Sequence, residues 1–263
     1  SKALKKVTTE DGKTTVQIEL DYPAKTQGSV IEEMVRAKLV EAGIPADVKI
    51  SQNIIAHEVQ RGVKVFDSVR NIIAVSSGKG GVGKSTVSAN LALALQQEGA
   101  KVGLLDADVY GPSQPTMLGI TDKPYSVDGK TLEPMVAHGL QVASVGVLID
   151  PDQPMIWRGP LAVSALQQLL KQTNWKDLDY LIVDMPPGTG DIQLSLSQEV
   201  PLTGAVVVTT PQDIALMDAR KGLVMFEKVN VPILGIIENM ATHICSKCGH
   251  EAVSYTHLRA HET

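Results

Sequence analysis

A doubly wound α/β fold with a mostly parallel sheet, preceded by a small α+β unit, is what this sequence predicts, on three observations. From Asn71 onward, apolar runs alternate with segments whose apolar residues recur at helical spacing, the order that builds βαβ units. Hydrophobic content is 43% but aromatic content only 3%, so the core is aliphatic, as near-continuous Val, Ile and Leu strands of a parallel sheet make it. Glycines and carboxylates follow the apolar runs closely, and in open α/β sheets ligands bind outside the carboxyl ends of the strands. With 263 residues, the chain has room for one large α/β domain and a small one.

In chain order, residues 1–66 read as the small unit. Thr15 to Leu20 alternates as a strand, and Val48 to Ile50 is a second. Between them Ser29 to Ala42 reads as a helix, with Ser29 as N-cap, Glu32 at the third position and Gly43 closing it. The unit holds one histidine, His57, read as a surface residue, and packing or docking is its expected role. Gln60 to Arg70 is mixed and charged, the expected linker. The large domain is placed at 67–252. Its strands are predicted at Ile72 to Val75, Val102 to Leu105, Leu140 to Val145, Tyr180 to Val183, Ala205 to Val208 and Ile233 to Ile237. Its helices are predicted at Ser85 to Glu98, Pro160 to Gln172, Ile192 to Glu199 and Ile214 to Val229.

Between the first of those strands and the first helix lies Gly78-Lys79-Gly80-Gly81-Val82-Gly83-Lys84-Ser85-Thr86. Strand, glycine-rich loop and helix in that order form a phosphate-binding loop: the backbone N–H groups turn inward around an anion through conformations that side chains penalise. Lys84 is placed to reach the terminal phosphates and the Ser85 hydroxyl to ligate Mg²⁺. Leu104 and Leu105 run into Asp106, Ala107 and Asp108, two carboxylates at a strand end whose bland reading is an Asx turn or a helix cap. Leu181, Ile182 and Val183 end in Asp184, the Walker B arrangement, which holds Mg²⁺ through water opposite Ser85. The turn after it, Met185-Pro186-Pro187-Gly188-Thr189-Gly190-Asp191, combines stiff prolines with hinging glycines next to a phosphate loop, as a γ-phosphate-sensing switch does.

The two cysteines, Cys245 and Cys248, form a lone Cys-x-x-Cys knuckle. It supplies two ligands where a tetrahedral zinc or iron-sulfur site needs four. From the residues alone, a zinc or iron-sulfur site completed by further ligands, zinc completed by His243 and His250, a redox dithiol and two unligated thiols all stand open.

Lys79, a second lysine directly after the first glycine, makes the loop similar to the deviant Walker A motif of the MinD/ParA-type ATPases. Together with Asp106-Ala107-Asp108-Val109-Tyr110-Gly111-Pro112-Ser113, the Asp184 to Asp191 segment and the late Cys-x-x-Cys, it resembles the Mrp/ApbC group of iron-sulfur carrier ATPases over roughly residues 70–250. The resemblance implies a P-loop ATPase of slow turnover, in which two subunits sandwich two nucleotides and Lys79 of one reaches the phosphates held by the other. It implies that Asp108 positions the attacking water, that Asp106 contributes to the Mg²⁺ shell, and that Asn239 reads the adenine edge. It implies a [4Fe-4S] cluster bridged by Cys245 and Cys248 from each of two subunits and passed to apo-proteins. The small leading unit resembles the N-terminal domain of Mrp-type proteins, related to iron-sulfur assembly factors.

The expected cofactors are therefore ATP, Mg²⁺ and a [4Fe-4S] cluster, and the expected partners a second copy of the chain and recipient apo iron-sulfur proteins. A net charge of −5 gives no overall pull toward nucleic acid or anionic membrane, and no apolar run approaches the roughly 18 residues of a span. Two closely spaced cysteines and no visible signal peptide give the expectation of a cytoplasmic protein. The competing reading is a MinD/ParA-like positioning ATPase acting on membrane or DNA, which needs a basic face or a terminal amphipathic helix. The family continues beyond Gly249 with a further strand and helices, whereas Val253 to Thr263 is polar and aperiodic. The expectation is a C-terminally truncated domain with a non-native or disordered tail at 253–263, in which His257 and His261 share a helical spacing. Ser1 in place of methionine adds the expectation that the first natural residues are missing.

Overall fold

The computed structural model describes residues 3–10, 13–60, 63, 66–148 and 159–253. Two main sheets, of three and seven strands, carry the described residues, with a two-stranded hairpin besides. The small one holds β1 (Leu4–Glu10), β2 (Lys13–Leu20) and β3 (Ala46–Gln52), with helix α1 (Gly28–Glu41) between β2 and β3. β1 and β2 are antiparallel, β2 and β3 parallel, and Val16, Leu20 and Val48 are buried. β1, the charged run LKKVTTE, carries no periodic apolar signal and was not expected.

Helix α1 begins one residue before Ser29, at Gly28. Its N-cap is Gln27, and no side chain caps it, so the expected capping by Ser29 and Glu32 does not occur. The C-terminal expectation holds: Gly43 adopts φ 76° and its N–H donates to Val40 O at 2.9 Å, the left-handed turn that glycine tolerates without strain.

The large sheet has seven strands in the order β10-β9-β4-β8-β5-β7-β6. They are β4 (Val69–Ser77), β5 (Val102–Asp106), β6 (Met135–Ala137), β7 (Leu140–Ser144), β8 (Leu178–Asp184), β9 (Gly204–Thr209) and β10 (Ile233–Glu238). All pairings are parallel except β6 with β7 at one edge. Helices α2 (Lys84–Gln97), α3 (Gln114–Met117), α4 (Gly159–Gln172), α5 (Asp191–Glu199) and α6 (Asp213–Lys228) join them. One apolar layer packs α4, α5 and α6 against one face, through Leu166, Leu169, Leu196 and Phe226; a second packs α2 and its neighbours on the other, through Ala92, Leu104, Leu140 and Ile182. β8 is buried along its whole length, as a central parallel strand covered on both faces must be.

Residues ahead of the linker expected at Gln60 to Arg70 already contact the large sheet. Ile54 already lies in the second apolar layer, and the Asn71 side chain donates to Ile55 O at 2.9 Å. Gln60 is buried, donating to Ser197 O at 2.7 Å and accepting from Leu202 N–H at 2.9 Å. Residues 53–60 thus belong with the large sheet's packing. At the other end, β11 (Thr242–Ile244) and β12 (Glu251–Val253) form a short antiparallel hairpin, so Val253 is part of a strand and not of the tail. Residues 254–263, His257 and His261 included, lie outside the described residues.

Candidate functional site: a phosphate cradle and a thiol knuckle

Strand register brings the three expected loops together. β8 lies between β4 and β5, and Asp184 pairs with Val75 on one side and Asp106 on the other. The loops leaving these strands are tied by backbone bonds: Ala107 N–H donates to Asp184 O at 2.9 Å, Met185 N–H to Val75 O at 3.0 Å, and Gly188 N–H to Ser77 O at 2.8 Å. Phosphate loop, Walker B strand and acidic loop therefore share one carboxyl edge.

The cradle needs its glycines for stated reasons. Gly81 and Gly83 adopt φ 80° and 85°, which a side chain strains. A Cβ on Gly78 would lie 2.3 Å from the Asp218 backbone of α6, and one on Gly83 would lie 2.3 Å from Asn239 Nδ2. Helix α2 starts immediately after Gly83 with no side chain capping it, so the N–H groups of its first turn face the loop, where the helix dipole favours an anion. Ser77, Gly80, Gly81, Gly83, Lys84, Ser85, Thr86, Asp108, Ser113, Met117 and Pro187 line a cavity of about 300 Å³. A roomier cavity, about 800 Å³ along residues 118–125 and 133–138, contains no part of the phosphate loop.

Beneath the cavity sits a buried polar network centred on Asp184, which is fully buried. Its Oδ1 accepts from Lys84 Nζ at 2.6 Å and from Ser88 Oγ at 2.9 Å; its Oδ2 accepts from Gln114 Nε2 at 2.8 Å. Lys84 Nζ also lies 3.7 Å from Asp108 Oδ2. One lysine thus faces two carboxylates. Asp108, whose Oδ1 accepts from the Tyr110 and Gly111 N–H groups, has its carboxyl pKa raised by burial, with Lys84 opposing.

Asp106, expected in the magnesium shell, is fully buried beside Asp184. Like Asp184 it lies behind the cavity lining, and its oxygens accept from the N–H groups of Asp108, Ser113 and Gln114 and from Ser144 Oγ, at 3.0 to 3.2 Å. Burial pushes its pKa up to about 6 against those hydrogen bonds, with the nearby Asp184 charge adding to the rise. Those bonds tie it to the backbone of the acidic loop. The Val82 side chain is buried in the apolar layer, which leaves its backbone for the cradle. Lys79 does not line its own chain's cavity. Asn239, expected at the adenine, donates through Nδ2 to Val82 O at 2.9 Å, gripping the loop from outside.

Gln114, Ser88 and Ser144 were not expected. Ser88 stands one helical turn after Lys84, a spacing that could have flagged it. Gln114 lies one residue past the acidic segment and carries no such signal.

Cys245 and Cys248 occupy the loop of the β11–β12 hairpin, closed by Cys245 N–H to His250 O at 2.9 Å and Gly249 N–H to Cys245 O at 2.8 Å. Both thiols are free, Cys245 half-buried and Cys248 exposed. The Lys247 and Cys248 backbone N–H groups, with the Cys248 side chain, lower the Cys245 pKa, favouring the thiolate that binds metal. Among the described residues no three His, Cys, Asp or Glu side chains converge as a metal shell.

No helix among the described residues is long and apolar enough to cross a membrane. Residues 68–263 match the model of a family described as NUBPL iron-transfer P-loop NTPase. The iron-sulfur cluster carrier protein of Salmonella typhimurium is 56% identical over 252 residues, 95% of this chain and 68% of that protein. The iron-sulfur cluster transfer protein NUBPL of Mus musculus is 53% identical over 190 residues, covering 72% of this chain and 60% of its own length. Among solved structures, a nucleotide-binding protein of Archaeoglobus fulgidus in complex with ADP superposes with TM-score 0.64 at 39% identity, over 74% of this chain and 77% of that one. A phosphate cradle of this build, matched over most of the chain, places this protein in the NUBPL iron-transfer family of P-loop NTPases, among the iron-sulfur cluster carriers.

Proposed function

We propose that this chain is an ATP-dependent iron-sulfur cluster carrier: two copies hold one [4Fe-4S] cluster between them, two thiolates from each, and pass it to apo-proteins, with ATP hydrolysis resetting the cycle. The observation that carries the reading is the thiol pair itself. Two free cysteines stand on an exposed hairpin with no further ligand grouped around them among the described residues, and a twofold axis supplies the missing two.

The nucleotide part rests on the cradle. Its glycines leave room for a phosphate and the uncapped α2 terminus presents N–H donors to it. Magnesium fits the donor set: Ser85 offers a hydroxyl, Asp184 a buried carboxylate, and Mg²⁺ needs only one or two protein ligands besides phosphate and water. Charge balance favours it too. With Lys84 on the terminal phosphates, the buried Asp184 would lose its cation, and Mg²⁺ held there would supply the compensating charge. Asp108, at the cavity wall, accepts a proton-bearing water for attack, and Lys79 of the second copy adds positive charge where the transferring phosphoryl group spreads its negative charge. Asn239 keeps its carbonyl for the adenine edge. The chain works in the cytoplasm, where thiols stay reduced.

Anaerobic reconstitution with iron and sulfide tests the reading. The expected product is brown, carries one four-iron cluster per two chains, runs as a dimer, and activates an apo-ferredoxin. Colourless protein with stoichiometric zinc, or a Cys245→Ser/Cys248→Ser double variant that still holds the cluster, sinks it.

A further inference from the structure

Gln114 is fully buried, and three of its groups are accounted for. Its backbone N–H is fixed on Asp106 Oδ2 at 3.0 Å, and its Nε2 donates to Asp184 Oδ2 at 2.8 Å and to Ser85 O at 2.9 Å. Its Oε1 has no donor. Only Gln114 and Gln212 carry such an orphaned buried side-chain oxygen among the described residues, and only the Gln114 carboxamide touches the residues suited to magnesium. A buried acceptor without a partner is costly, and it persists where a ligand supplies the donor.

We propose that Gln114 is a positioning residue of the magnesium site, holding Asp184 through its amide nitrogen and accepting, through Oε1, a hydrogen bond from a water on the metal. Magnesium sheds its waters reluctantly and polarises those it keeps, so a carbonyl oxygen beside the carboxylate that holds those waters meets a strong donor. The same side chain ties three loops into one unit, since Asp106 fixes its backbone, Asp184 its amide and Ser85 the start of α2. This rests on the nucleotide–magnesium part of the proposed function and is independent of the cluster.

The test compares the binding of a fluorescent ADP analogue to the full chain and to Gln114→Met with Mg²⁺ and with EDTA, alongside Mn²⁺ binding in the presence of ADP followed by electron paramagnetic resonance. In Gln114→Met, affinity in EDTA stays within about two-fold, while the gain on adding Mg²⁺ shrinks about ten-fold, the loss of a hydrogen bond to a charged group. Mn²⁺ affinity falls in parallel. Gln114→Asn, which keeps the carboxamide one methylene short, gives the same reading if Gln114→Met does not fold. Equal losses with and without metal mean a merely structural residue and overturn the proposal alone. An unsubstituted chain that binds no ADP under either condition removes the nucleotide reading, and this proposal with it.

Discussion

The phosphate cradle and the thiol knuckle are built on opposite plans. Around Asp184, a lysine, a serine and a glutamine close on one fully buried carboxylate, and three loops are cross-linked by backbone bonds. Around Cys245 and Cys248, two three-residue strands with every residue exposed carry a loop held by two backbone bonds. A nucleotide site gains from donors fixed before the ligand arrives, because no reorganisation then opposes charge development. On the function proposed above, a cargo site must also let go, and ligands on a thinly supported hairpin would part from a cluster with little to rebuild. The two are joined by a short stretch, since Asn239 grips the P-loop at Val82 O and the chain runs from it directly into β11.

If the cradle is the rigid half, breaking it should cost stability as well as binding. Lys84→Met leaves Asp184 buried with only neutral donors; the expected loss is about 3 kcal/mol, the lower end for a broken buried ion pair because Ser88 and Gln114 remain. Chemical denaturation measures it, and a loss under 1 kcal/mol would mean the network is less tightly buried than the geometry says. Gly78→Ala comes next, since the new methyl meets the α6 backbone and must push the helix aside, at about 1–3 kcal/mol, with nucleotide binding abolished.

Asp106→Asn sharpens the same half through pH. The folded-state pKa of about 6 lies above the ordinary carboxylate value, so the folded protein holds this proton more tightly than the unfolded chain. The resulting stability is fully present below about pH 4 and is lost as pH rises through about 6. Asn cannot titrate, and its amide places a donor against the N–H groups Asp106 accepts from; the variant should cost about 1–3 kcal/mol more at pH 4 than at pH 7 and show no slope from this site in between. A thermal-melt series across that range decides it, and an unchanged slope would remove Asp106 as the titrating group.

How much of this was legible in the sequence follows from the same contrast. β4, β5, β8 and β9 were readable because buried parallel strands are continuous aliphatic runs, and the residues after them were then fixed by topology. β6, β11 and β12 were not, because three residues carry no period. Ser29 misled because a capping pattern is local, while the start of α1 is set by where the chain enters from Ala24 to Gln27. Asp106 and Asp108 look alike on paper; only tertiary contacts show that one faces backbone amides and the other the cavity. Gln114 was illegible because its three side-chain relations run to Ser85, Asp184 and an absent donor, none near it in sequence.

The smallest expected stability effect falls on the knuckle and tests the contrast most sharply. Cys248 is exposed and Cys245 half-buried, and neither sits in an apolar layer, so Cys245→Ser/Cys248→Ser should change unfolding free energy by less than about 0.5 kcal/mol. ADP affinity should stay unchanged, because no thiol lines the cavity. Iron and sulfide uptake should vanish all the same, since serine hydroxyls do not ionise to replace thiolates. A double variant that loses stability on the scale of Lys84→Met would show the hairpin to be a structural keystone. Release of cargo would then have to disturb the whole domain, and the division between a rigid grip and a yielding one would be wrong.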